Sequence, residues 1–398
     1  MKLAARAARV LPSPTLAITA LAKSMAAQGV DVIDFASGEP DFDTPQPVKE
    51  AANAAMTDGF TKYTPSSGID ELRGAIADTL RAEHGLSYER AQILVSCGAK
   101  HSLYNLFEAL IEAGDEVIIP APFWVSYQDQ VLLNDGTPVF LKTCEADGYA
   151  IDEQQLDSLV TSRTKAIVVN TPNNPTGATY ARRTLDAIAE VACRHDLLII
   201  SDEIYEKIIY DGVRHVSAAS LSPEVASRTV VINGVSKSFA MTGWRIGYAA
   251  GPKELITAMA NIQSQSTSNP CSISQKAAVA ALHTGAQFVN GMVKEFERRR
   301  RVMVERLNKM PGVHCRLPTG AFYAFPNITG VLGAHAGSTL LRTPSDVAQH
   351  LLKAAQIAVV PGEPFGSQGH IRLSYATGLD AITRGLDRME ATLQNLSR

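Results

Sequence analysis

Residues 233–248 read NGVSKSFAMTGWRIGY. Just ahead of them Thr229-Val230-Val231-Ile232 is short, β-branched and apolar, the pattern of a buried strand, and it stops at the Asn233-Gly234 turn. Lys237 follows between two serines, and Arg245 opens a second apolar run, Ile246-Gly247-Tyr248-Ala249-Ala250. Taken alone, Lys237 is a solvated loop lysine. At the end of a buried strand, however, a lysine loses hydration, which lowers its pKa and frees the amine as a nucleophile. The fork of Arg245 suits a phosphate held bidentately, and Ser236 can donate to the same anion.

Outward from this stretch, strand and helix patterns alternate. Strands are expected at Ile93–Ser96, Glu116–Ile119, Pro138–Leu141, Ala166–Val169, Leu197–Ser201, Thr229–Ile232 and Ile246–Ala250, with helical patterns at Leu103–Ile111, Trp124–Leu133 and Leu185–His195 between several of them. This implies an α/β fold with a mostly parallel sheet between helices, whose ligands bind at the carboxyl ends of strands. Earlier in the chain, a helix is expected from about Leu16 to Gln28 with Thr15 as N-cap, then a strand at Val32–Ala36. After the amphipathic stretch Phe288–Leu307 come strands at Gly320–Phe325, Ala358–Val360 and His370–Ser374 and a helix near Asp346–Ala355, a second, smaller α/β unit. The expected division is 1–44 for an N-terminal arm and the first part of the small domain, 45–287 for the large domain, and 288–398 for the rest of the small domain.

The chain's 398 residues, 45% of them hydrophobic, suffice for such a core, and a net charge of −3 argues against nucleic acid as partner. The basic run Arg298–Arg301 lies in a helical pattern and reads as a solvated face. Five scattered cysteines without a CxxC pair point to a reducing compartment, with neither a disulfide framework nor a zinc site. No apolar run is long enough to span a bilayer. Lys2, Arg6 and Arg9 without an early acidic residue have a transit-peptide flavour, but the preferred reading is an N-terminal arm of a cytoplasmic protein.

Four strand ends carry unusual polar residues. Ser96-Cys97-Gly98-Ala99-Lys100 is a small-residue turn into a helix, an anion site if its free N–H groups are used. Asn170-Thr171-Pro172-Asn173-Asn174-Pro175-Thr176-Gly177 is either a rigid turn or a binding loop. In Ser201-Asp202-Glu203-Ile204-Tyr205, Asp202 either caps a helix or holds a ring nitrogen protonated, with Tyr205 one helical turn on. The fourth is the Lys237 stretch. An amine nucleophile beside a phosphate site suggests a Schiff base with pyridoxal phosphate.

The runs FASGEPDF, YTPSSG, NTPNNPTG, SDEIYE, SKSFAMTGWRIGY and HIRLSYAT, which follow one another along the chain in the family's order, resemble class I aminotransferases of pyridoxal-phosphate fold type I, most of all the bacterial aspartate aminotransferase subgroup that often accepts aromatic substrates or prephenate. The likeness extends from about Val10 to Met389. It implies that Lys237 bonds pyridoxal 5'-phosphate and shuttles the proton, that Asp202 pairs with the pyridine nitrogen, that Tyr205 and Asn174 bond the phenolic oxygen, and that Trp124 stacks on the ring. Ser236, Arg245 and the Gly98-Ala99-Lys100 turn would hold the phosphate. Tyr63 would reach the neighbouring subunit's phosphate in a homodimer, and Arg372, assisted by the Gly38 backbone, would clamp the substrate α-carboxylate. Lys100, with Ser13 and Thr15, would meet a distal carboxylate; the alternative for Lys100 is the cofactor phosphate alone. Ala99 stands where glycine is more usual, Glu363-Pro364 where small residues are commoner, and Leu11 where a basic residue is frequent, which touches substrate preference and not the Lys237 chemistry.

The expected activity is thus amino transfer from aspartate or glutamate to a 2-oxo acid by a ping-pong cycle. Its rivals are aromatic or prephenate transamination, a β-lyase, decarboxylase or cyclopropane-carboxylate synthase on the same scaffold, a ligand-sensing regulator, which should carry a DNA-binding extension, and a nucleotide-binding protein, for which no GxGxxG or GxxxxGK[ST] pattern accompanies the strands.

Overall fold

The computed structural model describes Ala4, Arg9 and residues 14–397. Its strands are β1 (Ile33–Asp34), β2 (Ile93–Ser96), β3 (Glu116–Ala121), β4 (Thr137–Lys142), β5 (Thr164–Asn170), β6 (Leu198–Asp202), β7 (Thr229–Gly234), β8 (Gly247–Ala250), β9 (Tyr323–Ala324), β10 (His335–Ala336), β11 (Thr339–Leu340), β12 (Ile357–Ala358), β13 (Val360–Pro361) and β14 (Ile371–Ser374). The seven expected apolar runs all enter one seven-stranded sheet of order β2-β8-β7-β6-β5-β3-β4. Strands β4, β3, β5, β6 and β7 are parallel, while β8 is antiparallel to both β7 and β2. Between β7 and β8 the chain makes only turns and one short 3-10 turn, with no helix to carry it back across the sheet, so β8 returns antiparallel. Registers Asn170↔Asp202, Asp202↔Ile232, Gly234↔Gly247 and Ser96↔Gly247 bring all four polar strand ends to one edge of the sheet.

The smaller unit holds the antiparallel sheet β13-β14-β9 and the parallel pair β1-β12, packed under the helices Ala286–Leu307, Pro344–Ala355 and Leu379–Gln394 through Phe35, Phe296, Phe322, Leu351 and Leu386. The strand expected over Gly320–Phe325 shrinks to β9, because Gly320 and Ala321 give their N–H groups to the carbonyls of Gly177 and Ile208 in loops of the large sheet instead of to a ladder. The helix Pro14–Ala27 opens on proline, which suits the first helical position, so Thr15 lies inside the first turn and is not its cap.

One expectation holds for only two of its four residues: Arg298 and Arg301 are exposed. Arg299 and Arg300 are not a solvated face but are buried. The helix carrying them has neighbours on two sides: Arg300 lies 4.5 Å over the Tyr210 ring and donates to Pro318 O (2.6 Å) and Asp211 (2.7 Å), while Arg299 Nη1 reaches both oxygens of Asp41 at 2.8 and 2.9 Å. Among the described residues, no helix is long and apolar enough to cross a membrane.

Candidate active site

A cavity of about 390 Å³ opens at the carboxyl edge of the large sheet, between it and the smaller unit. The turn after β7 delivers Lys237 and Ser236 to it, β6 delivers Asp202, the loop after β5 delivers Asn174, and β14 delivers Arg372 from the other unit. The segment 37–39, running on from β1, closes it, and Gly38 O accepts a hydrogen bond from Lys237 Nζ at 2.5 Å. Burial lowers Lys237 to about 8, so a usable fraction of free amine exists near neutrality.

Asp202 is 2% exposed, and that burial pushes its carboxyl up to about 6. Tyr127 OH donates to Asp202 Oδ2 at 2.7 Å and Ile204 N–H to Oδ1 at 3.2 Å, both favouring the anion. Asn170 ties the two neighbouring strand ends together, its amide donating to Asp202 O (3.0 Å) and its carbonyl accepting from Asn174 N (2.9 Å). Arg372 is also 2% exposed, and burial opposes its charge. Nη1 donates to Asn174 Oδ1 at 3.0 Å and Nη2 to Ala36 O at 2.8 Å, while the guanidinium lies 4.4 Å over Tyr323 and 5.1 Å over Phe365. Each Nη carries two protons and has one of these acceptors, so the guanidinium keeps donors for an anionic ligand, while its Nε is buried with no partner among the described residues.

Gly98, with φ +89°, precedes the helix Ala99–Leu110, whose first N–H groups have no intrahelical acceptor. A Cβ on Gly98 would stand 2.4 Å from Arg245 Nη2, and one on Gly247 would stand 2.1 Å from Ala99 N. Gly98 leaves room for the Arg245 guanidinium, bonded to Thr242 O and Cys97 O, to lie against the helix start, and Gly247 lets β8 approach the Gly98–Ala99 backbone. Together with Ser236 this is a phosphate cradle. A buried carboxylate for a protonated ring nitrogen, an amine of lowered pKa, a phosphate cradle and an incompletely paired guanidinium are the donor set that pyridoxal phosphate with an amino acid requires, so the residues fit that group.

Thirteen of the fifteen expected site residues are clear in position. Gly38, Ala99, Lys100, Trp124, Asn174, Asp202, Tyr205, Ser236, Lys237, Arg245 and Arg372 line the cavity, with Gly98 just behind it. Lys100 Nζ rides 4.8 Å over the Trp124 ring, and desolvation followed by the nearby Arg245 lowers its pKa. Tyr63 is 91% exposed and outside the cavity lining. Ser13 lies outside the described residues, and Thr15 has a described backbone only. Two details differ from expectation. Residues 204–207 form turns and not a helix, and the Tyr205 hydroxyl pairs with Tyr323 OH at 2.7 Å. Asn174 Oδ1 accepts from Arg372, which leaves the Asn174 NH2 as the donor expected for a phenolic oxygen. Tyr127, Tyr323, Glu39, Thr242 and Lys23 line the site without having been given a role there, as does Asn170, named only as the start of its loop; Tyr127 carried a local signal too, three residues after Trp124 on the next helix.

The family model of class I and II aminotransferases matches residues 30–388. The aspartate aminotransferase of Geobacillus stearothermophilus is 49% identical over 99% of both chains. The aspartate/prephenate aminotransferase of Nitrosomonas europaea is 45% identical over 99% of this chain and 100% of its own. The crystal structure of the Rhizobium meliloti aspartate aminotransferase superposes with TM-score 0.96 at 44% identity over the whole of both chains, and that of the Thermus thermophilus enzyme with maleate with TM-score 0.93 at 42% identity over 98% of this chain and 100% of that one. With a fold type I architecture, an amine, carboxylate and guanidinium meeting at the sheet's edge, and near-half identity along its full length, the chain belongs to the class I and II aminotransferases.

Proposed function

We propose that this chain is a pyridoxal-phosphate-dependent aspartate aminotransferase. The observation that carries the reading is the buried Arg372 guanidinium lining the same cavity as Lys237 and Asp202. Relatives named for aspartate at 46–49% identity support the substrate.

Arg372 would bind the α-carboxylate, with the Gly38 segment completing the clamp. This places the substrate's Cα beside Lys237, whose lowered pKa lets Nζ take the Cα proton as a general base. When bound, pyridoxal phosphate supplies the electron sink for the carbanion. Asp202 would hold the ring nitrogen, Trp124 the ring face, and Gly98, Ala99, Ser236 and Arg245 the phosphate. The Tyr205–Tyr323 pair and Asn174 wall the site against water. Lys100, on its flexible stem over Trp124, would meet the distal carboxylate of aspartate or glutamate. An ammonium at the mouth discriminates less than a buried fork, which favours a second reading in which prephenate is also accepted, as in the relative named for it.

The exposed Tyr63 supports a homodimer in which it reaches the partner's phosphate. The division into a large domain (45–287) and a small one (1–44 with 288–398) is supported by the pairing of β1 with β12, outside the seven-stranded sheet. Five unpaired cysteines support a cytoplasmic setting.

The test is the half-reaction. Aspartate added to the loaded protein should yield stoichiometric oxaloacetate and the amine form of the cofactor, with 2-oxoglutarate reversing the change; pyruvate or alanine release without that conversion would sink the reading. Lys100→Ala should raise KM for aspartate by about tenfold and leave that for alanine within about twofold.

A further inference from the structure

Tyr127 is fully buried, and its hydroxyl has one acceptor, Asp202 Oδ2, at 2.7 Å. It stands at the start of the helix Ser126–Leu133, three residues after Trp124, whose carbonyl accepts from the Tyr127 N–H at 3.1 Å. The rings meet edge to face, with centroids 5.4 Å apart at 87°. One short segment thus carries a ring that lines the cavity and, braced against it, a donor that fixes the plane of the Asp202 carboxylate. The opposite side of that carboxylate is held by Ile204 N–H.

A carboxylate in so dry a site has two ways to lower its energy: bind a proton or accept hydrogen bonds. Apart from the Ile204 N–H, Tyr127 supplies the second, from a side chain that is itself buried and packed in the apolar cluster of the large sheet. We propose that Tyr127 is a positioning residue that keeps Asp202 ionised and oriented toward the ring nitrogen of the cofactor. This rests on the pyridoxal phosphate reading above and deepens it: the affinity for the protonated pyridine ring is set by the Tyr127–Asp202 pair rather than by Asp202 alone.

The pair can be tested by binding without turnover. Full-length protein freed of cofactor is titrated with pyridoxal phosphate and with its 1-deaza analogue, in which a carbon replaces the ring nitrogen. Tyr127→Phe should weaken pyridoxal phosphate by about tenfold, the scale of one hydrogen bond to a charged group, and change binding of the deaza analogue less than twofold. Carbon-13 NMR of the Asp202 carboxyl should show its titration moving to higher pH in Tyr127→Phe. Equal losses for both ligands would make Tyr127 a packing residue and overturn the inference, as would an unmoved Asp202 titration. Failure of the unaltered protein to bind pyridoxal phosphate would instead refute the cofactor reading, and this inference with it.

Discussion

Replacing Arg372 by lysine keeps the charge and removes the fork. In the structure the guanidinium spends Nη1 on Asn174 Oδ1 and Nη2 on Ala36 O, stacks on Tyr323, and keeps Nε without a partner. A lysine ammonium is a single point on a flexible stem, so it cannot satisfy Asn174 and Ala36 and also present two donors to an incoming carboxylate. At least one charge-assisted hydrogen bond to the substrate is lost, and a second is lost or bent. At roughly 1.5–3 kcal/mol each, the cost is about 3 kcal/mol, or about 150-fold in kcat/KM. The assay is the single-turnover half-reaction with aspartate, followed by the cofactor's absorbance, beside a control with an amine that lacks the α-carboxylate. The control should react equally slowly with both proteins, since it never uses the fork. A loss below about threefold for aspartate, in a protein with unchanged circular dichroism, would refute the assignment of Arg372 to the α-carboxylate.

Lys237→Ala should abolish transamination while the protein stays folded and binds cofactor non-covalently; borohydride reduction and peptide mapping of the unaltered protein should label Lys237, and a label on another lysine would contradict this. Asp41→Asn should raise KM for aspartate about fivefold, the scale of a weakened buried ion pair, because Arg299 holds the 37–42 segment through Asp41 and that segment brings Gly38 O to Lys237; an effect on thermal stability alone, with KM unchanged, would confine the Arg299 clamp to folding. The buried pair His84 and Glu206, 2.7 Å apart, should shape stability against pH. Burial opposes both charges, yet the pairing outweighs it: Glu206 falls from an ordinary 4.5 to about 2, and His84 rises above its ordinary 6.5. The stabilisation is therefore complete between about 4.5 and 6.5; it is lost at lower pH as the carboxylate gains its proton and at higher pH as the imidazolium loses its own. Thermal melts of His84→Gln should differ from the unaltered protein most near pH 5.5 and converge with it toward pH 9; a constant difference across that range would mean that packing, not charge, explains the loss.

The strands of the large sheet and the residues at their ends were legible in the sequence because both rest on local rules. An apolar β-branched run of five or six residues has few other fates than a buried strand, and parallel strands must present their following loops at a common edge. Lys237, Asp202, Asn174 and Gly98 could therefore be picked out from what each follows. The partners of those residues could not. Lys237 meets Gly38 from 199 residues away, Arg372 meets Ala36 from 336, and Tyr127 meets Asp202 from 75; no periodicity encodes such pairings, which exist only once two units have packed. The arginine run 298–301 shows the same limit from the other side. By composition it is a solvated helix face, yet a helix wedged between neighbours has two buried sides, and only the packed fold supplies Asp41, Asp211 and the Pro318 carbonyl that make burial of Arg299 and Arg300 affordable. Thr15 as cap and Tyr205 as a helical residue fail for a smaller reason, since helix starts shift by a residue or two and turns mimic a first helical turn. Sequence thus determined which chemical groups stand at the edge of the sheet, through rules that act over a few residues; tertiary packing decided which of them are dry and which are paired, because desolvation and hydrogen bonding depend on neighbours that only the folded chain brings together.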